Sequence, residues 1–321
     1  GVLRAGLVAV DVNPLYTARE LGHYLKDSGA KAIVILENFA DVLAEVISET
    51  AVETVILARV GDMLGFPKSL LVNFVLKYVK HKIPKYKLDN VITFNEVLAI
   101  GQQRQLVKPE LTCDDLAFLQ FTGGTTGLAK GAMLSHGNLL ANVAQAGAFF
   151  GPALDEGKET VITALPLYHI FSLTANCFLF TKIGGLNYLI TNPRDMKGFV
   201  KELSKVKFSV ITGVNTLFNG LLNTDGFSDL DFSHLKVTLG GGMAVQESVA
   251  TEWHETTGCV LAEAYGLTEA SPAVTINPYD LKEYNGTIGL PIPNTEISIQ
   301  DDDGNHLGIE EAGELCVRGP Q

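Results

Sequence analysis

Apolar and polar positions along the 321 residues fall into two alternating rhythms, short β-branched runs and stretches with apolar residues at helical spacing. That alternation predicts an α/β fold in which mostly parallel sheets are flanked by helices. The first repeat of the rhythm is well marked. Thr17, Ala18, Arg19 and Glu20 form a capping box that opens a helix through about Asp27, Gly29 ends it, and 31–36 reads as a buried strand. A second helix, from about Asp41 to Glu49, leads to a strand over 54–57. Apolar runs at 116–121, 160–165, 186–190, 207–212, 236–239 and 259–264 continue the pattern. Near the end, alternation over 295–300, a turn signal over 301–305 and renewed alternation over 313–318 predict a β-hairpin, the start of a barrel-like region.

Two segments depart from this rhythm. The most apolar window, 165–181, carries no charged residue apart from His169, and Pro166, Lys182 and the Gly184–Gly185 pair interrupt or bound it. Those breakers favour a buried core helix over a membrane span. The segment 68–87 carries six lysines, His81 and no carboxylate. On a helical wheel Leu70, Leu71, Phe74, Val75, Tyr78 and Val79 share a wide apolar arc opposite Asn73, Lys77 and Lys80. The pattern fits a helix half-buried against its own domain, and it also fits an interfacial helix resting on anionic lipid.

Composition narrows the field. A hydrophobic fraction of 46% supports a substantial core, and a net charge of −12 with a pI near 5.0 argues against nucleic acid as a general partner. Cys113, Cys177, Cys259 and Cys316 form no CxxC pair, which argues against a zinc site or disulfide framework and for a reducing cytoplasm. The chain opens at Gly1 without a charged segment before an apolar stretch, so no signal peptide is expected, and both ends read as cuts.

The chemistry concentrates in four places. The run from Phe121 to His136 packs Thr122, Gly123, Gly124, Thr125, Thr126, Gly127 and Lys130 into one loop. Glycines let successive N–H groups turn toward an anion, hydroxyls add donors, and lysine adds a point charge, so the composition suits phosphate. An ordinary glycine turn would share part of it. It is not a Walker A loop, because Lys130 follows Ala129 and precedes Gly131. The second place is Glu263, Ala264, Tyr265, Gly266, Leu267, Thr268 and Glu269: a flat ring for a purine, a hydroxyl for phosphate and a hard oxygen for Mg²⁺, or else a helix start with a capping threonine. The third is Gly240, Gly241 and Gly242, either a strand-to-helix turn or a close approach to a flat ring. The fourth is His169, in apolar company where a histidine can equally be a satisfied core residue.

Taken together, these motifs closely resemble the signature of the AMP-forming acyl and aryl adenylating enzymes, the superfamily of acyl-CoA synthetases, luciferases and peptide-synthetase adenylation domains. The segments 4–6, 11–14, 286–293 and 313–315 match further motifs of that family's large domain, so the resemblance spans essentially the whole chain. Its nearest form is the bacterial long-chain fatty-acid CoA ligases. The resemblance implies one large AMP-binding domain with subdomains over about 1–110 and 111–285 and a β-rich region beginning near 286. It also implies ATP, Mg²⁺ and coenzyme A. Lys130 and the hydroxyls of 122–126 would meet the outer phosphates; Tyr265, with Gly240 to Gly242, would meet adenine. Thr268 would meet phosphate and Glu269 the metal. His169 would lie beside the substrate carboxylate and the α-phosphate, and Val214 and Asn215 would line the acyl pocket. In this family a ribose-binding aspartate, a hinge and a small C-terminal domain with a catalytic lysine follow the stretch matched here, so the 321 residues alone are expected to turn over little. An acyl-carrier-protein ligase, a CoA ligase for another acid, or a non-catalytic nucleotide-binding interaction protein are the alternatives. The family analogy allows a homodimer. Cytoplasmic residence is expected, with 68–87 as the candidate contact with the inner face of an anionic membrane.

Overall fold

The computed structural model describes residues 1–122 and 129–321. The chain divides into two compact units, one formed by 1–111 and 117–133, the other by 112–116 and 134–321.

In the first unit, β1 (Ala9–Val10) pairs in parallel with β5 (Leu116–Phe121), and β6 (Gly131–Ser135) lies on the other side of β5. A second sheet joins β2 (Ala32–Leu36), β3 (Thr54–Ala58) and β4 (Val91–Thr93) in parallel, with Ile33 opposite Val55. Helix α1 (Ala18–Ser28) begins where the sequence requires it. The Thr17 hydroxyl accepts the Glu20 N–H at 3.3 Å, the Glu20 carboxylate accepts the Thr17 N–H at 2.8 Å, and Gly29 closes the helix at φ 62°. Helix α2 (Ala40–Val46) packs with α1 over Leu21, Leu25, Leu43 and Val55. Two expectations need correction here. Strand β2 is not buried on both faces: Ile33 and Ile35 turn toward the core, while Val34 stands 58% exposed on the uncovered face. In 68–79 the half-buried positions are Ser69, Val72, Asn73, Val75 and Leu76, so most of the apolar arc is not what the helix lays against its unit. Helix α3 (Lys68–Phe74) continues as a π-helical turn over Val75–Val79, and its apolar arc faces outward, with Leu70 63% and Phe74 56% exposed. Helix α4 (Phe94–Gln102) starts on a second capping box, from Thr93 and Glu96.

The second unit is built on a seven-stranded sheet. Its strands are β7 (Thr160–Thr163), β8 (Leu186–Leu189), β9 (Val210–Gly213), β10 (Val237–Gly240), β11 (Leu261–Gly266), β12 (Ala273–Ile276) and β13 (Leu290–Pro291), in the order β13-β12-β11-β10-β9-β7-β8. From β8 to β11 neighbours run parallel; β12 and β13 add antiparallel, so the sheet is mixed. All six apolar runs singled out in the sequence are strands. In the strands of this sheet, period-two alternation sends side chains to two different cores. Ile162, Ile211 and Leu261 pack with Phe199, Phe218 and Trp253 from α8 (Met196–Leu203), α9 (Asn215–Leu222) and α10 (Glu247–Thr257). Val161, Val210, Val237, Leu239 and Ala262 pack on the other face with Ala146, Phe150, Leu179 and Phe180. Those last four come from α5 (His136–Phe150) and from a broken helical run, α6 (Ile170–Ser172), a π-helical stretch (Leu173–Phe178) and α7 (Leu179–Lys182). The apolar window is thus core, as its breakers imply. No helix among the described residues is long and apolar enough to cross a membrane. Strands β14 (Glu296–Gln300) and β15 (Glu314–Arg318) form the expected hairpin, with Glu296 opposite Arg318. It remains two-stranded, and no sheet among the described residues closes into a barrel.

Candidate active site

Parallel sheets present their ligand crevices outside the carboxyl ends of the strands, and the glycine turn after β10 lies there. The Gly241 N–H donates to the Gly213 carbonyl at 3.1 Å, carrying the β9–β10 ladder one residue further. Gly242 adopts φ 77°, which a residue with a Cβ resists. A Cβ on Gly241 would press on the Phe171 ring and the Ala264 carbonyl, both at 3.2 Å. Behind the turn stand polar anchors: the buried Glu263 carboxylate accepts the Val245 N–H at 2.7 Å, Tyr284 donates to the Val245 carbonyl at 2.8 Å, and buried Asn215 accepts the Gln246 N–H at 2.9 Å. Gly240 packs against Val245 from beneath. Glu263 and Asn215 therefore hold the turn's shape through hydrogen bonds to its backbone.

The end of β11 supplies the next wall. Its ladder shifts register between Tyr265 and Gly266, and a Cβ on Gly266 would collide with the Pro272 carbonyl, so glycine is required. The chain then tightens into a short 3₁₀ turn, Thr268–Ala270. Tyr265 and Glu269 are exposed, and the Glu269 carboxylate has no hydrogen bond or ion pair among the described residues.

His169 caps α6. Its Nδ1 accepts the Phe171 N–H at 3.3 Å, which leaves the proton of the neutral ring on Nε2. The apolar neighbours desolvate the ring and lower its pKa from the ordinary histidine value, which favours this neutral tautomer. The ring therefore offers one outward N–H donor.

His169, Gly241, Gly242, Ala264, Tyr265, Gly266 and Thr268 line one cavity of about 210 Å³. Its body is apolar and sits between α5, the 170–180 run and the sheet, with Ala146, Phe150, Leu179, Phe180, Val237 and Leu239 in its walls. Sequence reasoning missed this body. The available signal was the small residues Ala146 and Ala175 among bulky apolar ones. Val214 and Asn215, expected beside the acyl chain, stand at the glycine turn, Val214 within 3.7 Å of where a Gly242 Cβ would lie and Asn215 accepting the Gln246 N–H.

In the first unit, the glycine loop is pinned at its ends. The Thr122 N–H donates to the Lys130 carbonyl at 3.0 Å, and His23 Nε2 donates to the Ala129 carbonyl at 2.9 Å. Phe121 sets its ring edge-on to Tyr24 at 4.3 Å. Lys130 is exposed and has no ion pair among the described residues. Gly123, Gly124, Thr125, Thr126 and Gly127 lie outside the described residues.

The chain is 59% identical over its full length to the long-chain-fatty-acid–CoA ligase of Escherichia coli O157:H7 and 58% identical to that of Haemophilus influenzae, and it spans 57% and 58% of their lengths. A solved long-chain-fatty-acid-CoA ligase from Archaeoglobus fulgidus superposes with a TM-score of 0.72 at 26% identity, over 98% of this chain and 58% of that one. The family of AMP-binding enzymes matches residues 1–321, with the glycine turn and the Tyr265–Glu269 segment inside the match, and the chain belongs to that family.

Proposed function

We propose that the protein activates a long-chain fatty acid with ATP and passes the acyl group to coenzyme A. The observation that carries this reading is the single cavity that joins an apolar body to a polar mouth at His169, Gly241, Tyr265 and Thr268. An acyl chain suits the body, and an adenylate suits the mouth. In the first step a carboxylate oxygen attacks the α-phosphorus and the bond to pyrophosphate breaks. In the second the coenzyme A sulfur attacks the acyl carbon, AMP leaves, and the thiol proton passes to solvent. The carboxylate is already ionised near neutral pH, so no general base is required for the first step.

The residues act by placement and by neutralising charge. His169 Nε2–H donates to the substrate carboxylate or to an α-phosphate oxygen. Gly240, Gly241, Gly242 and Ala264 give adenine a flat backbone surface, held in shape by Glu263, and Tyr265 covers it. Thr268 reaches phosphate. Thr122 and Lys130, with the loop between them, take the outer phosphates. Mg²⁺ fits the donor set at Glu269: it keeps most of its waters and needs only one or two carboxylates beside phosphate oxygens, and this carboxylate is exposed and uncommitted. When bound, the ion screens the phosphate charges. The likeness to long-chain ligases supports a long-chain acid over the other acids this fold can serve. The test is acid-dependent pyrophosphate exchange by the intact protein across an acyl series, with Glu269→Gln as control. Exchange with palmitate that the variant loses is expected; a preference for acetate or benzoate would overturn the long-chain reading.

A second reading concerns where the enzyme works. The outward apolar arc of α3 adjoins Met63 and Phe66, the latter 86% exposed, and Lys80, Lys82, Lys85 and Lys87 lie just beyond the arc, all exposed. Exposed apolar side chains followed along the chain by exposed lysines match the chemistry of an anionic lipid surface, so we assign 68–87 to peripheral contact with the membrane from which the substrate would be drawn.

A further inference from the structure

Helix α5 buries amides beside its apolar residues. Asn138, Asn142 and Gln145 follow one another at spacings of four and three, which puts them in one stripe of the helix surface. Each takes hold of a different stretch of chain. Asn138 donates to the Pro320 carbonyl at 3.0 Å, and Gln145 donates to the Pro293 carbonyl at 2.7 Å. Asn142, fully buried, grips Ala273 twice: its Nδ2 donates to the Ala273 carbonyl at 2.9 Å, and its Oδ1 accepts the Ala273 N–H at 3.1 Å.

Ala273 opens β12, just beyond the turn that carries Thr268 and Glu269. Within that turn the Ala270 N–H donates to the Leu267 carbonyl at 3.0 Å and the Ser271 N–H to the Thr268 carbonyl at 3.2 Å. The Thr268 and Glu269 side chains make no hydrogen bond among the described residues, so their placement is inherited from the backbone that bears them. A second buried group anchors this backbone. Thr174, in the π-helical stretch, donates its hydroxyl to the Ser271 carbonyl at 2.8 Å. Asn142 and Thr174 both line the cavity, yet these polar atoms are aimed at the chain on either side of Pro272. Leucine and valine would fill nearly the same space without the desolvation cost of an amide and a hydroxyl. What the polar pair adds is a fixed position for the turn.

Resting on the assignment of Glu269 to Mg²⁺, we infer that Asn142 and Thr174 are positioning residues for metal-bound ATP. Asn142 holds the peptide after the turn from α5, Thr174 holds the Ser271 carbonyl from the helical run, and together they fix where the Glu269 carboxylate meets the ion.

The test is the affinity of the intact protein for ATP, measured by calorimetry with excess Mg²⁺ and again in EDTA, so that the ratio of the two Kd values reports the metal's share of binding. Asn142→Leu keeps the volume and removes both hydrogen bonds; it is expected to shrink that ratio about tenfold, as loss of an outer support does at metal sites. The near-isosteric Thr174→Val, which disturbs packing least, should shrink it in the same direction. Thr238→Val is the matched comparison: the same change at an equally buried hydroxyl, which accepts the Trp253 N–H at 3.2 Å on the face of β10 turned away from the cavity. It should lower stability to urea and leave the ratio unaltered. A ratio unaltered in both Asn142→Leu and Thr174→Val, while Glu269→Gln abolishes the metal's contribution, would overturn the inference and leave the role of Glu269 standing; an equal fall in Thr238→Val would overturn it as well. A metal contribution that survives Glu269→Gln would overturn the assignment of the ion to Glu269 itself.

Discussion

His169 shows how one side chain can be committed in two directions. Its Nδ1 lone pair is occupied by the Phe171 N–H at 3.3 Å, so the outward nitrogen is a donor whenever the ring is neutral. Replacing it by alanine removes one preorganised donor at the cavity mouth, and a fall in adenylation rate of about 10² to 10³ is expected, measured as pyrophosphate exchange at saturating acid. The pH dependence follows from the direction of its shift. Burial lowers the pKa below the ordinary value of 6.5, so between that value and the folded pKa the unfolded chain binds more protons than the folded one. Stability from this group is accordingly complete above pH 6.5 and declines as the pH falls below it, and the neutral donor persists into mildly acidic solution. A rate profile that is flat through pH 6.5 and breaks only below it is expected; a break above 6.5 would mean the ring titrates in a different environment.

The elements were legible to different depths, and the reason is periodicity. A strand read from a short β-branched apolar run is read correctly even when its burial is not, because side chains at i and i+2 share a face whatever covers that face. Thus β2 is a strand although Val34 is exposed, and the six later apolar runs are all strands. Capping chemistry is equally local, which is why Thr17, Glu20 and Gly29 mark α1 so sharply. The cavity has no such local sign. A helix face that lines a void is as apolar as one that fills a core, and only the tertiary fit of Ala146 and Phe150 against Val237 and Leu239 decides between them. Asn215, expected at the acyl pocket, also serves a turn, a contact that no local pattern announces. Its carbonyl oxygen accepts the Gln246 N–H at 2.9 Å, and Asn215→Ala leaves that donor without its partner. A loss of roughly 1–3 kcal/mol in stability is expected by chemical denaturation. Because the 241–246 turn would loosen, KM for ATP should rise more than kcat falls. An unaltered KM together with unaltered stability would show that the turn needs no support from α9.

At the scale of the whole molecule, charge is distributed against the trend. The chain carries −12 overall, so an anionic membrane repels it at long range, yet 68–87 gathers six lysines and no carboxylate beside an outward apolar arc. Attraction can only be local, which fixes both its salt dependence and its reliance on apolar insertion. Not every lysine in the segment is free for this task. Lys77 stands 3.5 Å from the buried Glu37 carboxylate, which Arg59 also meets at 3.1 Å, so removing Lys77 would strip a charge partner from the interior and confuse a binding test. Lys80, Lys82 and Lys85 are exposed and carry no such duty among the described residues. Neutralising those three to glutamine should weaken sedimentation with phosphatidylserine-containing vesicles by about 1 kcal/mol per lysine at low salt, the difference closing as salt is raised. Phe66→Ser with Phe74→Ser should weaken it at every salt concentration, because the two rings act through burial. Sedimentation unchanged in both variants would remove the membrane from the account of this surface and leave the exposed arc of α3 for a protein partner.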